Sequence, residues 1–251
     1  MKGTNDMAHA IAIPPDQVIS HAPAAASPAK VTPGKVAMWL FLATEIMFFT
    51  GLIGSYIVLR AGSPPTAYGA QYAPQTDLKL MSDPDVVRFS SWPRPFDTAM
   101  NPLDVTLTAI NTFFLMSSSV TLSLAMSYLV RGLRGKFLFY LVSTLALGSL
   151  FLGIQVYEYY NLIFHHYFPI GVSASGHFTP DVSLFASCFF TMTGFHGAHV
   201  MGGVVLLAIY TLYAFMGYFT PTHHAALEYA GLYWHFVDLV WIVLFTVVYL
   251  I

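Results

Sequence analysis

Residues 227–241 set Glu228, His235 and Asp238 into a run that is otherwise apolar enough for lipid. An acid at the centre of such a helix costs about 2.5–3.5 kcal/mol on insertion scales. At about 100° per residue, Glu228, Gly231, His235 and Asp238 fall on one face about 80° wide. Leu, Val, Phe and Trp cover the rest of the wheel. That face must meet protein, a bound polar lipid or water. The segment is therefore expected to be buried against something.

Four more stretches have the same character. Residues 36–59, 103–130, 137–164, 182–215 and 227–251 can each span about 30 Å of hydrocarbon at about 1.5 Å per residue. With 56% hydrophobic and 9% charged residues among 251, the expected fold is an all-α membrane protein with a bundle of five transmembrane helices. A net charge of −2 gives no reason to expect nucleic acid. Cys188 stands alone, which excludes an internal disulfide and any metal site needing two thiolates.

Residues 1–34, rich in Ala and Pro, read as a disordered tail that stays attached, because they lack an apolar core of signal-peptide length. Residues 35–251 form the transmembrane domain. Within it, the Pro-rich loop at 61–101 is too long for a simple connector. It is either mobile or laid across a neighbouring subunit, and Tyr68, Tyr72 and Trp92 favour the second option. Lys2, Lys30, Lys35 and the compact basic turn of Arg131, Arg134 and Lys136 fall on one side of the membrane. Arg60, Lys79, Arg88 and Arg94 are spread through the opposite side. The positive-inside rule then puts the N-terminus in the cytoplasm and the C-terminus outside.

Glu45 follows Lys35 by ten residues, about 15 Å of helix rise, which puts it near the bilayer centre. Two readings stay open for it: a neutral acid hydrogen-bonded to a neighbouring helix, or a role in lipid contact or proton exchange. On the fourth span His196, His199 and Gly203 lie within about 60° of one another. Two histidines at this spacing supply only two metal ligands, so interhelical hydrogen bonding is their expected use. Gly194, Gly197, Gly202 and Gly203 allow close helix approach. Near the outer end of the third span, Tyr157, Tyr159 and Tyr160 suit an interfacial aromatic belt, with Glu158 reaching water among them. His235 and Asp238, three residues apart, are expected to hydrogen-bond to each other and lock the last helix to its neighbours.

Taken together these motifs resemble one family. Thr193-Gly-Phe-His196-Gly-Ala-His199-Val, followed by Glu228-Tyr-Ala-Gly-Leu-Tyr-Trp234-His235-Phe-Val-Asp238-Leu-Val-Trp241, is similar to subunit III of haem–copper terminal oxidases. Leu42-Ala-Thr-Glu45-Ile-Met-Phe-Phe-Thr-Gly51 resembles that family's membrane-acid helix. Asn101-Pro102-Leu103 and Gln155-Val-Tyr-Glu158-Tyr-Tyr160 resemble its next two helices. The likeness runs from about Lys35 to Ile251. It corresponds to the shorter, five-helix form, and the long loop after the first helix departs from the pattern.

The resemblance implies an accessory subunit without catalytic residues or a metal site of its own. It packs chiefly against oxidase subunit I and also meets subunit II, with further respiratory-complex subunits as neighbours, in a bacterial plasma membrane. Haem and copper reside in the partner subunits, and phospholipid is held in a cleft between the helices. Glu45 and Glu158 are then the proton- or lipid-linked acids. His196, His199, Glu228, His235 and Asp238 are the polar groups that hold helices together. Readings of other kinds are a quinol-oxidase subunit III, the related accessory protein of nitric oxide reductase, and a free-standing proton-coupled transporter. Against the transporter, the chain has no repeated halves and no obvious broken-helix pair.

Overall fold

The computed structural model describes residues 32–61, 103–165, 177–181 and 184–251. Residues 1–31 of the expected tail and nearly all of the loop at 61–101 lie outside that set. The described residues form five long helices: α1 (Pro33–Ala61), α2 (Val105–Val130), α3 (Arg134–Phe164), α4 (Leu184–Phe215) and α5 (Ala225–Phe245). A widened π-helical turn, Thr246–Leu250, continues α5. All five are long and apolar enough to cross a membrane, so the chain is a multi-pass membrane protein.

Local chemistry sets the helix ends. Pro33 opens α1, where its missing N–H would have had no intrahelical partner anyway. Asp104 caps α2 by accepting the Leu107 N–H at 2.9 Å. α2 and α4 both end with a left-handed glycine, Gly132 (φ 73°) and Gly217 (φ 82°). The amides that follow reach back to the last carbonyls: Leu133 N to Tyr128 O and Tyr218 N to Tyr213 O, both 3.0 Å. At the same end of the bundle, Arg134 Nη2 donates to the Phe215 carbonyl at 2.9 Å, tying the start of α3 to the end of α4.

Helices α2, α3, α4 and α5 pack in a closed ring, each against the next and α5 back onto α2. α1 lies outside the ring along α5 and α4. The buried positions inside the ring follow a three–four spacing. On α2 they are Thr108, Asn111, Leu115, Ser118, Leu122, Ala125 and Leu129. On α3 they are Phe137, Leu141, Thr144, Gly148, Phe151, Gln155, Glu158 and Leu162. A 3.5-residue repeat is that of left-handed coiled-coil packing.

These seams are unusually polar and small because lipid is as apolar as leucine. Burying an aliphatic side chain gains little there, and close backbone approach and interhelical hydrogen bonds take over. Outward positions such as Met47, Val58, Phe113, Phe139 and Leu212 are exposed and apolar.

One residue joins four helices. The buried indole of Trp234 on α5 lies between Gly148 of α3 and Gly203 of α4; a Cβ at either glycine would come within 2.7 Å of the ring. Its Nε1–H donates to Ser118 Oγ of α2 at 2.9 Å.

Candidate functional site

The ionisable groups inside the spans fall into three separate centres. In the first, Glu45 of α1 meets His199 of α4, with Oε2 3.0 Å from Nε2 and both side chains about one-fifth exposed. The other ring nitrogen, Nδ1, lies 2.7 Å from the Phe195 carbonyl. A carbonyl only accepts, so Nδ1 carries a hydrogen. The Glu45–Nε2 contact then needs one further proton, held either on the carboxyl or on the ring. The pair is a one-proton hydrogen bond across a helix seam. Phe49 packs edge-on against the imidazole, centroids 5.1 Å apart. Tyr233 OH of α5 donates to the His199 carbonyl at 3.0 Å, so three helices meet here.

The second centre surrounds Glu158 of α3. It was expected to reach water at the helix end, but the side chain is buried, 4% exposed. Its Oε1 accepts from Thr108 Oγ1 of α2 at 3.1 Å and from Tyr249 OH of the C-terminal turn at 3.2 Å. The reason for the difference is the end of the chain, which folds over this carboxyl; the seam spacing puts Glu158 inside rather than out. Tyr157 and Tyr160 are exposed as a belt requires. Tyr159 instead turns inward and bonds Thr193 Oγ1 at 2.6 Å.

Two helical turns from Glu158, Phe151 receives the Asn111 amide on its carbonyl at 3.2 Å. Its ring is edge-on to His196. His196 stacks on Trp241, centroids 4.8 Å apart, and Trp241 Nε1–H donates to Thr112 Oγ1 at 2.8 Å. His196 and His199 therefore serve different neighbours, one in the ring interior and one at the α1 seam.

The third centre lies at the start of α5. Glu228 is bracketed by Lys35 Nζ of α1 at 3.6 Å and His224 Nε2 at 3.0 Å. With Gly231 and His235 it borders a groove of about 340 Å³ between α1, α2 and α5, walled by Leu122, Met126 and Leu232. His235 and Asp238 do not pair with each other as expected. His235 Nδ1 lies 3.1 Å from Ser119 Oγ and Nε2 3.3 Å from Ser123 Oγ. Asp238 also faces the Ser119 hydroxyl. The two side chains turn toward α2, where a shared serine replaces the contact along their own helix.

Among the described residues no three His, Cys, Asp or Glu side chains gather at one point. His196 stacks on Trp241 with Phe151 edge-on to it, and both His199 nitrogens are engaged.

Sequence reasoning passed over Thr108, Asn111 and Tyr249, and it read Gln155 only as part of a motif. Their seam position on the 3.5-residue repeat was the available signal for the α2 and α3 members. Tyr249 had no such signal, because it lies beyond the regular helix.

The family model described as cytochrome c oxidase subunit III matches residues 20–251. The chain belongs to that family. The cytochrome c oxidase subunit 3 of Papio hamadryas is 32% identical over 215 residues, covering 86% of this chain and 68% of the relative. Those of Loxodonta africana and Sus scrofa are 33% identical with the same coverage. The match takes in all three polar centres, and these relatives are named as a subunit of an oxidoreductase.

Proposed function

We propose that this subunit III homologue is a non-redox accessory subunit of a proton-pumping aerobic cytochrome c oxidase that reduces O2 to water. It packs beside subunit I, with subunit II and further subunits of the respiratory complex nearby. Electron transfer belongs to haem and copper in those partners. The chain sits in a bacterial plasma membrane with its N-terminus cytoplasmic, in keeping with the basic turn at 131–136. Its contribution is to support assembly, retain phospholipid and assist proton uptake by the catalytic subunit.

The observation that carries this reading is the family match over residues 20–251. The Glu45–His199 pair adds a chemical reason for a proton-linked role. A hydrogen bond that holds one mobile proton, on a seam still one-fifth open, can exchange with water or a lipid headgroup. The groove beside Lys35 suits an amphiphile, with Leu122, Met126 and Leu232 toward an acyl chain and Lys35, Ser123 and His235 toward a polar head. Glu158 is the second proton-linked acid. His196, Glu228, His235 and Asp238 act chiefly to hold helices in register.

Two experiments test this. A mild-detergent pull-down should carry haem absorption bands, whereas the chain expressed by itself should show none. A monodisperse, haem-free protein active by itself would overturn the accessory reading. Glu45→Gln should leave assembly and haem content intact while altering proton-linked turnover or bound lipid. Unchanged turnover, pumping ratio and lipid content would remove Glu45 from the mechanism.

A further inference from the structure

About two turns of the α2–α5 ring are crowded with polar atoms that have no partner among the described residues. Asn111 Oδ1, both amide atoms of Gln155, Glu158 Oε2 and both ring nitrogens of His196 are shut off from the surface and make no hydrogen bond to any of the described residues. The four side chains are each at most 4% exposed.

They lie within about two turns of one another along the bundle, between the levels of Phe151 and Glu158. Gly148 and Gly203 meet across the same Trp234 ring. Two turns along α3 from Gly148 is Gln155, and two turns back along antiparallel α4 from Gly203 is His196. On α2, Asn111 is bonded to Phe151, one turn from Gln155. Glu158 follows one turn further, held by Thr108.

A dry layer of this composition is hard to sustain. A buried polar group left unpaired is strongly penalised, and in a bilayer no lipid atom can act as its partner. The donors and acceptors are complementary in kind: Gln155 offers both, Asn111 Oδ1 accepts, and His196 gives one of each when neutral. An internal water makes about three hydrogen bonds, so the six atoms suit a pair of molecules.

We infer that the Asn111–Gln155–Glu158–His196 layer is an internal water-binding site, with the free oxygen of Glu158 as its acidic end. The bound water completes the polar seam that direct contacts leave open. It also couples the carboxyl of Glu158 to His196, two side chains with no hydrogen bond between them. This assignment stands on the geometry of the ring and does not depend on the oxidase reading.

The first test is a map of the intact complex at a resolution that shows ordered solvent. Density within hydrogen-bonding distance of Gln155, His196 and Asn111 is expected. A Gln155 amide bonded directly to His196, with no density between, would overturn the site. The second test is infrared difference spectroscopy of the same complex, with the Glu158 band assigned by its loss in Glu158→Gln. In Gln155→Leu that band should shift, although Gln155 makes no direct hydrogen bond to the carboxyl. A correctly assembled Gln155→Leu complex with an unmoved Glu158 band would refute the coupling. If the variant fails to assemble, the map of the unaltered protein decides.

Discussion

Replacing Gly203 by alanine tests the packing logic most directly. The added Cβ would lie 2.7 Å from two carbons of the Trp234 ring, about 1 Å inside ordinary carbon–carbon contact. The ring cannot retreat, because Gly148 closes its other side at the same distance and Ser118 holds its N–H. Overpacking of this kind costs about 1–3 kcal/mol. Alanine returns about 0.5–1 kcal/mol through its better helix propensity.

The expected net loss is centred on about 1 kcal/mol, a drop of about 2–4 °C in melting temperature for a chain of this size. The assay is thermal denaturation in mild detergent, followed by helical circular dichroism. Gly153→Ala is the control, because nothing lies within 4 Å of a Cβ there; it should be neutral or slightly stabilising. Trp234→Phe should weaken the protein by itself yet recover part of the loss in the Gly203→Ala background, a coupling that a double-mutant cycle reads out. Equal melting of Gly203→Ala and Gly153→Ala would refute the reasoning.

Four further outcomes are expected. Glu158→Leu deprives the Tyr249 hydroxyl of its acceptor and should cost about 1–3 kcal/mol; Tyr249→Phe in the same background should restore much of it on the same melting assay. Trp241→Phe loses the 2.8 Å bond to Thr112 and should cost about 1 kcal/mol for that bond, while Thr112 keeps its bond to the Thr108 carbonyl. Asp238→Leu should lower the yield of assembled complex, measured by co-purification; normal yield and stability would remove Asp238 from the packing role. Lys35→Ala breaks only a half-exposed ion pair and should change stability by less than about 1 kcal/mol, with any larger effect confined to co-purified phospholipid.

The five spans were legible because each is a continuous apolar run. The starts of α2 and α3 differ from the apolar runs by two and three residues: α2 starts after its cap Asp104, and α3 begins at Arg134. Of the four residues the wheel puts on one face of α5, Glu228, Gly231 and His235 border one groove, whereas Asp238 turns to Ser119 of α2. What a wheel cannot give is the partner across the seam. Glu45 and His199 are 154 residues apart, and Glu158 and Tyr249 are 91 apart. A single-helix pattern contains no register between helices. The same gap explains the pairing expected of His235 with Asp238. Neighbours along one helix were visible in the sequence, whereas the serines of α2 that displace them were not. Gly203 was read as a small residue that permits close approach, yet the object it admits is an indole from a third helix.

The widened turn that closes the chain has a further consequence. Ile251 N bonds back to Thr246 O, five residues earlier, so this stretch winds more residues into a turn than an α-helix does. Removing a single residue between 246 and 248 would scarcely alter how far the segment reaches through hydrocarbon. It would, however, rotate the Tyr249 phenol away from its carboxyl. Two sequences of nearly equal hydropathy would then differ in whether an acid in the interior is stoppered. Span length and side-chain direction are separately encoded in these last few residues, and a hydropathy profile records only the first.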